Sequence, residues 1–198
     1  MRPRDVPTRP YAGVPAADRL DDRRQRLQAA VVRIVGRDGW SAATVRAVAS
    51  EAGVGPRFLY ESYTDVEDLA VHAYEAIGAQ LIEESVRSLT LQTDVAAGIR
   101  AGVESIITAL LADPDRTRFL LSETPRLAAR RRALLETAAD ELARLTTENV
   151  DDAVAARRRA IFAAGGGLEL VRTHWDGDHA LDAASITTTI SQALLADI

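Results

Sequence analysis

The chain has 198 residues, a net charge of −5, 47% apolar residues and only 5% aromatics. That is enough apolar material for one large or two small domains, with a core of Ala, Leu, Val and Ile, a mixture that favours helices. There is no cysteine, which excludes a disulfide framework, a thiolate metal site and a cysteine nucleophile.

Residues 1–20 read as a flexible arm. Its first 17 residues hold four of the seven prolines together with Arg2, Arg4 and Arg9. No apolar stretch of a secretory signal follows Met1, and no apolar run approaches the roughly 18 residues of a membrane helix. A cytosolic chain with no membrane partner is therefore expected. From Asp18 onward the pattern is helical. Leu27, Ala30, Val31, Ile34 and Val35 recur on one face, and Gly39 is a stop signal. Thr44 can cap a second helix that runs to Ala52, with Val45, Val48, Ala49 and Ala52 inward.

The segment "GVGP" at 53–56 is a stop followed by a start. Gly53 can close the second helix in the left-handed conformation. Gly55 can cap a third helix and Pro56 can open it, since a missing N–H costs nothing there. That helix is expected from Pro56 to about Ser62. Two helices joined by a short glycine-bearing turn make a helix-turn-helix, although a hairpin inside an ordinary core has the same pattern. So short a helix must be held by packing, and its free face offers Arg57, Phe58, Tyr60 and Glu61. Arginine and aromatic side chains in that arrangement suit a DNA major groove.

Further helices are expected over about 65–88, 94–112, 127–150, 152–175 and 183–197. "ADPD" at 112–115 and Pro125 mark breaks, and Gly165 to Gly167 sit in the middle of the penultimate helix. No strand pair and no repeat is visible, so the fold class is all-α. Charge is uneven along this order. From Arg19 to Thr64 eight arginines stand against five acids, +3; from Asp65 to Ile198 thirteen stand against twenty-two, −9. Every one of the 24 cationic residues is arginine, so any cationic phosphate contact must come from a guanidinium.

Across about residues 20–78, this pattern resembles the N-terminal domain of the TetR-type transcriptional repressors. The resemblance is carried by Gly39-Trp40, Thr44-Val45-Arg46, Ala52-Gly53-Val54, Leu59-Tyr60 and Tyr63. "RPYAG" and "PRFLYESY" resemble a subgroup common in actinobacteria, whereas Gly55, Phe58, Glu61 and Val66 differ from residues common in the family. The resemblance implies a three-helix DNA-binding domain at 21–66 and a helical ligand-binding and dimerisation domain at 67–198. It also implies a homodimer on a pseudo-palindromic double-stranded operator, released by a small-molecule effector. The DNA-facing set expected is Thr44, Arg46, Gly55, Pro56, Arg57, Phe58, Tyr60, Glu61 and Tyr63, with Arg2, Arg4 and Arg9 of the arm as further contacts.

In the second domain, Tyr74, Phe119 and Trp175 lie on three elements that could converge on an effector, with Arg100, Glu104 and Glu123 as polar partners. The same aromatics would equally serve as plain core. Apolar stripes on the last two helices, Leu168, Val171 and Trp175 with Ile186, Ile190 and Leu194, must be buried against a partner copy or within the chain. The arginine runs at 130–132 and 157–159 read as solvated faces, and Asp68 with His72 as a solvated pair. "HWDGDH" at 174–179 reads as a polar loop. A metal enzyme using His174, Asp178 and His179 is the weaker alternative, and a helical protein-interaction adaptor without DNA the stronger one. No phosphate loop, Glu-x-x-His motif or Ser-His-Asp order argues for catalysis, so no catalytic residue, metal or cofactor is expected.

Overall fold

The computed structural model describes residues 16–146, 150–177 and 181–195, with side chains over 20–145, 153–177 and 181–195. Among these residues there are nine α-helices and no strand, as the composition leads one to expect. They are α1 (Ala16–Asp38), α2 (Val45–Glu51), α3 (Arg57–Tyr60), α4 (Val66–Thr90), α5 (Val95–Ala112), α6 (Pro114–Leu121), α7 (Pro125–Thr146), α8 (Val150–Trp175) and α9 (Ala183–Leu195), with a 3-10 turn at Trp40–Ala42.

Helix starts follow local chemistry. Thr44 Oγ1 accepts the Ala47 N–H at 3.2 Å, Asp65 Oδ1 the Asp68 N–H at 2.7 Å and Asp94 Oδ2 the Ala97 N–H at 2.7 Å. Each such cap stabilises its helix by about 1 kcal/mol. The helix α6 has no counterpart among the expected elements. Asp113 and Pro114 end α5, but the same pair also begins a helix: Asp113 Oδ1 accepts the Arg116 N–H at 3.0 Å, and Pro114 occupies the first turn. Two further corrections concern boundaries. Residues 16–20 belong to α1 rather than to the arm, and α3 has four residues, with Glu61 already past its end.

A third correction concerns α5. By length and composition it is apolar enough to cross a membrane, with a mean hydropathy of 1.6. Here it packs between α4 and α9 and turns Arg100 and Glu104 outward.

The core is continuous. Leu27, Val31, Val48 and Leu59 are at most 1% exposed and join α1, α2 and α3. Leu69, Ala70 and Ala73 carry the same core along α4, where Phe119 of α6, fully buried, packs against Tyr74. Burying each large aliphatic or aromatic side chain contributes about 1.5–3 kcal/mol. At the end of α5 the Thr117 hydroxyl, 1% exposed, donates to the Leu110 carbonyl, so this buried pair is satisfied.

The helices α1 and α6 touch backbone to backbone at Gly36. A Cβ at this position would collide with the Asp115 carbonyl oxygen, and backbone cannot swing aside as a side-chain tip can. Gly36→Ala should therefore destabilise the protein by about 1–3 kcal/mol, the usual cost of overpacking, as read by urea denaturation. An unchanged midpoint would show that α6 shifts freely relative to α1.

Candidate nucleic-acid interface and apolar cavity

The turn between α2 and α3 is built by hydrogen bonds and one unusual backbone angle. The Gly53 N–H donates to Ser50 O at 3.1 Å and the Val54 N–H to Ala49 O at 3.0 Å. Gly53 has φ 65°, which a side chain with Cβ adopts only at a cost. The Phe58 N–H then donates to Gly55 O at 3.0 Å, starting α3. Leu59, fully buried, pins this four-residue helix to α1 and α2 and leaves its outer face to solvent.

On that face the Arg57 side chain is 80% exposed and Tyr60 61% exposed. Gly55, Pro56 and Glu61 are exposed beside them, as are Thr44 and Arg46 at the start of α2. The Arg57 Nε donates to Glu61 Oε1 at 3.2 Å, so one acid shares the strongest cation of the face. Phe58 is half-buried between two guanidinium groups: Arg23 stands 4.5 Å from its ring centroid and Arg57 5.3 Å. Each such cation–π contact is worth about 0.5–1 kcal/mol at an exposed site. Arg23 was not among the expected contacts. It lies one turn before Leu27 on α1, and nothing local in the sequence signals its pairing with α3.

Tyr63 does not share this face. It is 5% exposed, its hydroxyl accepts from Gln28 Nε2 at 3.1 Å, and burial raises its pKa. The ring packs edge-on against His72 at 5.3 Å. Arg2, Arg4 and Arg9 lie outside the described residues.

The second feature is a cavity of about 220 Å³ between α4, α5, α7, α8 and α9. Its wall runs from Tyr74 to Leu89 on α4 and from Arg131 to Leu145 on α7, each stretch about 20 Å long at 1.5 Å per residue. Among the described residues Tyr74 is the one aromatic in the wall, and Ser85, Arg131 and Glu141 are the other polar side chains. Ser85 Oγ already donates to Gly102 O at 3.1 Å, and Glu141 is paired with Arg144 at 2.6 Å. Of the expected effector residues only Tyr74 stands in the wall. Phe119 packs behind it, ring centroids 6.3 Å apart. Arg100 and Glu104 point away on the outer face of α5. Glu123 meets Arg172 at 3.5 Å, and Trp175 sits under Arg118 at 5.8 Å. The three aromatics therefore do not converge on the cavity.

Arg131 corrects the solvated-run expectation. Its side chain is 15% exposed, and Nη2 donates to Leu120 O at 3.1 Å and to Ser122 O at 2.8 Å. A signal for this was present in the sequence. Arg131 continues the stripe Leu127, Leu134, Ala138, Leu142 and Leu145, whereas its neighbours Arg130 and Arg132 do not. Arg130 does reach solvent, pairing with Glu75 at 3.1 Å.

The stripes assigned to a partner copy are also corrected. Val171 and Ile186 are fully buried, and Ile190 and Leu194 are 8% and 7% exposed within the single chain. Leu168, Ile190 and Leu194 face the cavity. Gly167 meets Ile190, where a Cβ would stand 2.7 Å from its Cδ1, so it lets α8 and α9 approach. Gly165 and Gly166 have nothing within 4 Å and lie on the opposite, exposed face. That face carries Val154, Ile161 and Phe162, the last 75% exposed. Among the described residues no group of three His, Asp or Glu side chains could hold a metal. His174 Nδ1 lies 2.7 Å from Leu181 O, and Asp178 and His179 lie outside the described residues.

No family model matches the chain. A stretch of 80 residues, 40% of the chain, is 34% identical to the HTH-type nicotine-responsive transcriptional repressor HdnoR of Paenarthrobacter nicotinovorans, and spans 39% of that protein's length. Among solved structures, a TetR family transcription regulator from Marinobacter aquaeolei is 24% identical, with 89% of this chain and 97% of that one aligned at a TM-score of 0.58. The transcriptional regulator FadR from Bacillus subtilis, solved with stearoyl-CoA, is 18% identical and aligns 88% of this chain with 98% of that one at 0.69. A helix-turn-helix on an all-α body with an internal cavity defines a class, the TetR-type regulators. This chain shares the fold of that class.

The helix α4 begins shortly after α3, and its start depends on the Asp68 carboxylate. Asp68 Oδ2 accepts the Thr64 N–H at 2.9 Å, and this bond chiefly holds the Asp68 pKa below its ordinary value. A lowered folded pKa gives stability that is present above the ordinary carboxylate range and is lost as pH falls through the folded value. Asp68→Asn should therefore flatten the acid limb of a stability–pH profile measured by urea denaturation. A variant profile parallel to the wild type would remove Asp68 from this role.

Proposed function

We propose that the protein is a homodimeric, ligand-responsive transcription regulator of repressor type that acts in the cytoplasm on a pseudo-palindromic operator and catalyses nothing. The observation that carries this reading is the exposed face of α3. Arg57 and Tyr60 project from a helix too short to serve as anything but a presented surface, with Leu59 locking it from behind. Arg57 would read a guanine edge bidentately, and Tyr60 and the Thr44 hydroxyl would reach phosphates. On DNA, Arg57 would exchange its Glu61 partner for the base. Arg2, Arg4 and Arg9 would add minor-groove or phosphate contacts.

Two copies of α3 must sit about 34–36 Å apart to enter successive major grooves. The exposed face of α8 is the surface suited to pairing them. Phe162 and Ile161 would meet their own copies across a two-fold axis, and Gly165 and Gly166 would let the backbones approach. The cavity is the effector site in this reading, and the match to a nicotine-responsive repressor and the likeness to a stearoyl-CoA complex support an effector of some kind.

Selection of bound sequences from a random DNA pool tests the whole reading. It should return a two-fold-related motif with half-sites one helical turn apart; no enrichment would overturn it. On that motif Arg57→Ala should lose about 1–3 kcal/mol and blur one position of each half-site. Equal weakening on all sequences would make Arg57 a phosphate contact instead.

For assembly, Phe162→Arg should give monomers in sedimentation equilibrium that keep the helical content of the wild type. A dimer of unchanged affinity would mean that another face pairs the copies.

A further inference from the structure

We infer that the cavity binds a slender, straight-chain aliphatic monocarboxylate, with the chain lying between α4 and α7 and the carboxylate on Arg131 beside Tyr74. The inference rests on the reading above that this cavity holds the effector, and it names the effector's chemical class.

The shape comes first. The cavity holds about 220 Å³, drawn out along two wall stretches of about 20 Å each. Ligand pockets for compact drug-sized molecules usually hold about 300–1,000 Å³. So small a volume over that length is thin, and it fits an extended alkyl chain rather than a fused ring system.

The wall chemistry agrees. Leu, Ile, Val and Ala side chains from six helices supply the surface, and with Tyr74 as the wall's sole aromatic among the described residues there is nothing to stack both faces of a planar ligand. Two of the remaining polar wall residues are already satisfied, Ser85 by Gly102 O and Glu141 by Arg144. Hydrogen-bonding capacity is thus concentrated at one end.

That end is Arg131. Its Nη2 serves the Leu120 and Ser122 carbonyls, but its Nε is buried without a hydrogen-bond partner. The nearest acid, Glu123, is 4.0 Å from Nη1, 70% exposed, and also drawn to Arg172 at 3.5 Å. A buried donor on a charged group is costly to leave unused, and a carboxylate is the group that both satisfies the donor and balances the charge. Tyr74 is 4% exposed and adjoins the same guanidinium, so its hydroxyl is placed to give a second hydrogen bond to the head group. Arg131 and Tyr74 begin the wall stretches of α7 and α4, and these helices run alongside each other in the same direction, as the contacts of Arg126 with Asp65, Arg130 with Glu75 and Leu134 with Gly78 show. The head group therefore lies at one end of the cavity, with the aliphatic walls extending from it in one direction.

The test uses the full-length protein, stripped of co-purified lipid, titrated calorimetrically with straight-chain carboxylates from hexanoate to palmitate. Matching n-alkanols and n-alkylamines are titrated alongside, all below their micelle thresholds. Affinity should rise about fourfold per methylene until the cavity is filled, and then level off. The alkanol of equal length should bind roughly tenfold or more weakly, and the alkylamine more weakly still. Arg131→Gln should erase the advantage of the carboxylate over the alkanol while leaving alkanol affinity in place. Ala138→Phe, which narrows the wall part-way along α7, should move the optimum to shorter chains.

Equal affinity for carboxylate and alkanol would overturn the inference, as would an affinity indifferent to chain length. If Arg131→Gln fails to fold, the wild-type head-group preference and the Ala138→Phe shift still decide. Carboxylates that bind as stated but leave DNA binding unchanged would support this inference and sink the effector reading. DNA binding that only another class of compound relieves, with no carboxylate binding, would overturn this inference and leave the regulator reading intact.

Discussion

Two connections join the ends of this molecule: α4, which runs from the helix-turn-helix into the cavity wall, and α6 through its close contact with α1. At Gly36 the two backbones meet with no side chain between them. On its other side α6 contributes Phe119, fully buried against Tyr74, and offers the Leu120 and Ser122 carbonyls to Arg131. One eight-residue helix thus touches both the scaffold of the helix-turn-helix and the polar end of the cavity. Close-packed contacts of this sort transmit displacement, because they have no slack to absorb it. The exposed ion pairs that run in parallel, Arg126 with Asp65 at 3.2 Å and Arg130 with Glu75 at 3.1 Å, are worth at most about 1 kcal/mol each and cannot take over that role.

The helix-turn-helix end depends on the same economy of backbone. Four residues of helix have no stability of their own. The helix α3 exists because Leu59 is buried, because Gly53 turns the chain sharply, and because Arg23 reaches over from α1 to Phe58. What remains outside is a small charged surface in which Arg57 and Glu61 hold each other. The acid lowers the net positive charge of the face, so any partner of Arg57 would have to compete with it. That arrangement favours selective contacts over indiscriminate electrostatic attraction.

The legible parts of the sequence are those where local chemistry decides. Thr44, Gly53 and the apolar spacing of α1 and α2 mark the helix-turn-helix, and Asp65 and Asp94 cap α4 and α5. The parts not legible are those where two elements share one signal. Asp113-Pro114 reads as a break, yet it both ends α5 and starts α6. Leu168, Ile190 and Leu194 form a stripe, but periodicity says only that a stripe is buried, not against what; here they close the chain's own cavity. The exposed surface of α8 is instead marked by Phe162 and two glycines, too few apolar residues to register as a stripe. Arg131 hides inside an arginine run and is distinguished only by falling in register with Leu127 and Leu134. Tyr63 shows the converse. It sits beside the exposed α3 in sequence, yet its ring turns inward to Gln28 and His72.

The cavity also bears on the energetics of the fold. Space left unfilled in a core costs stability in proportion to its volume, and about 220 Å³ stand unfilled here. A domain of ordinary stability has only about 5–15 kcal/mol in total. Small residues line part of the gap, Ala138, Ala139, Ala160 and Ala163 among them. A sequence selected for stability alone would fill this space with leucine or phenylalanine. Its persistence is easiest to understand if the missing volume arrives as a ligand, whose binding then stabilises the folded chain in proportion to its occupancy. On that view responsiveness to a ligand and marginal stability have one physical source, the hole between α4 and α7.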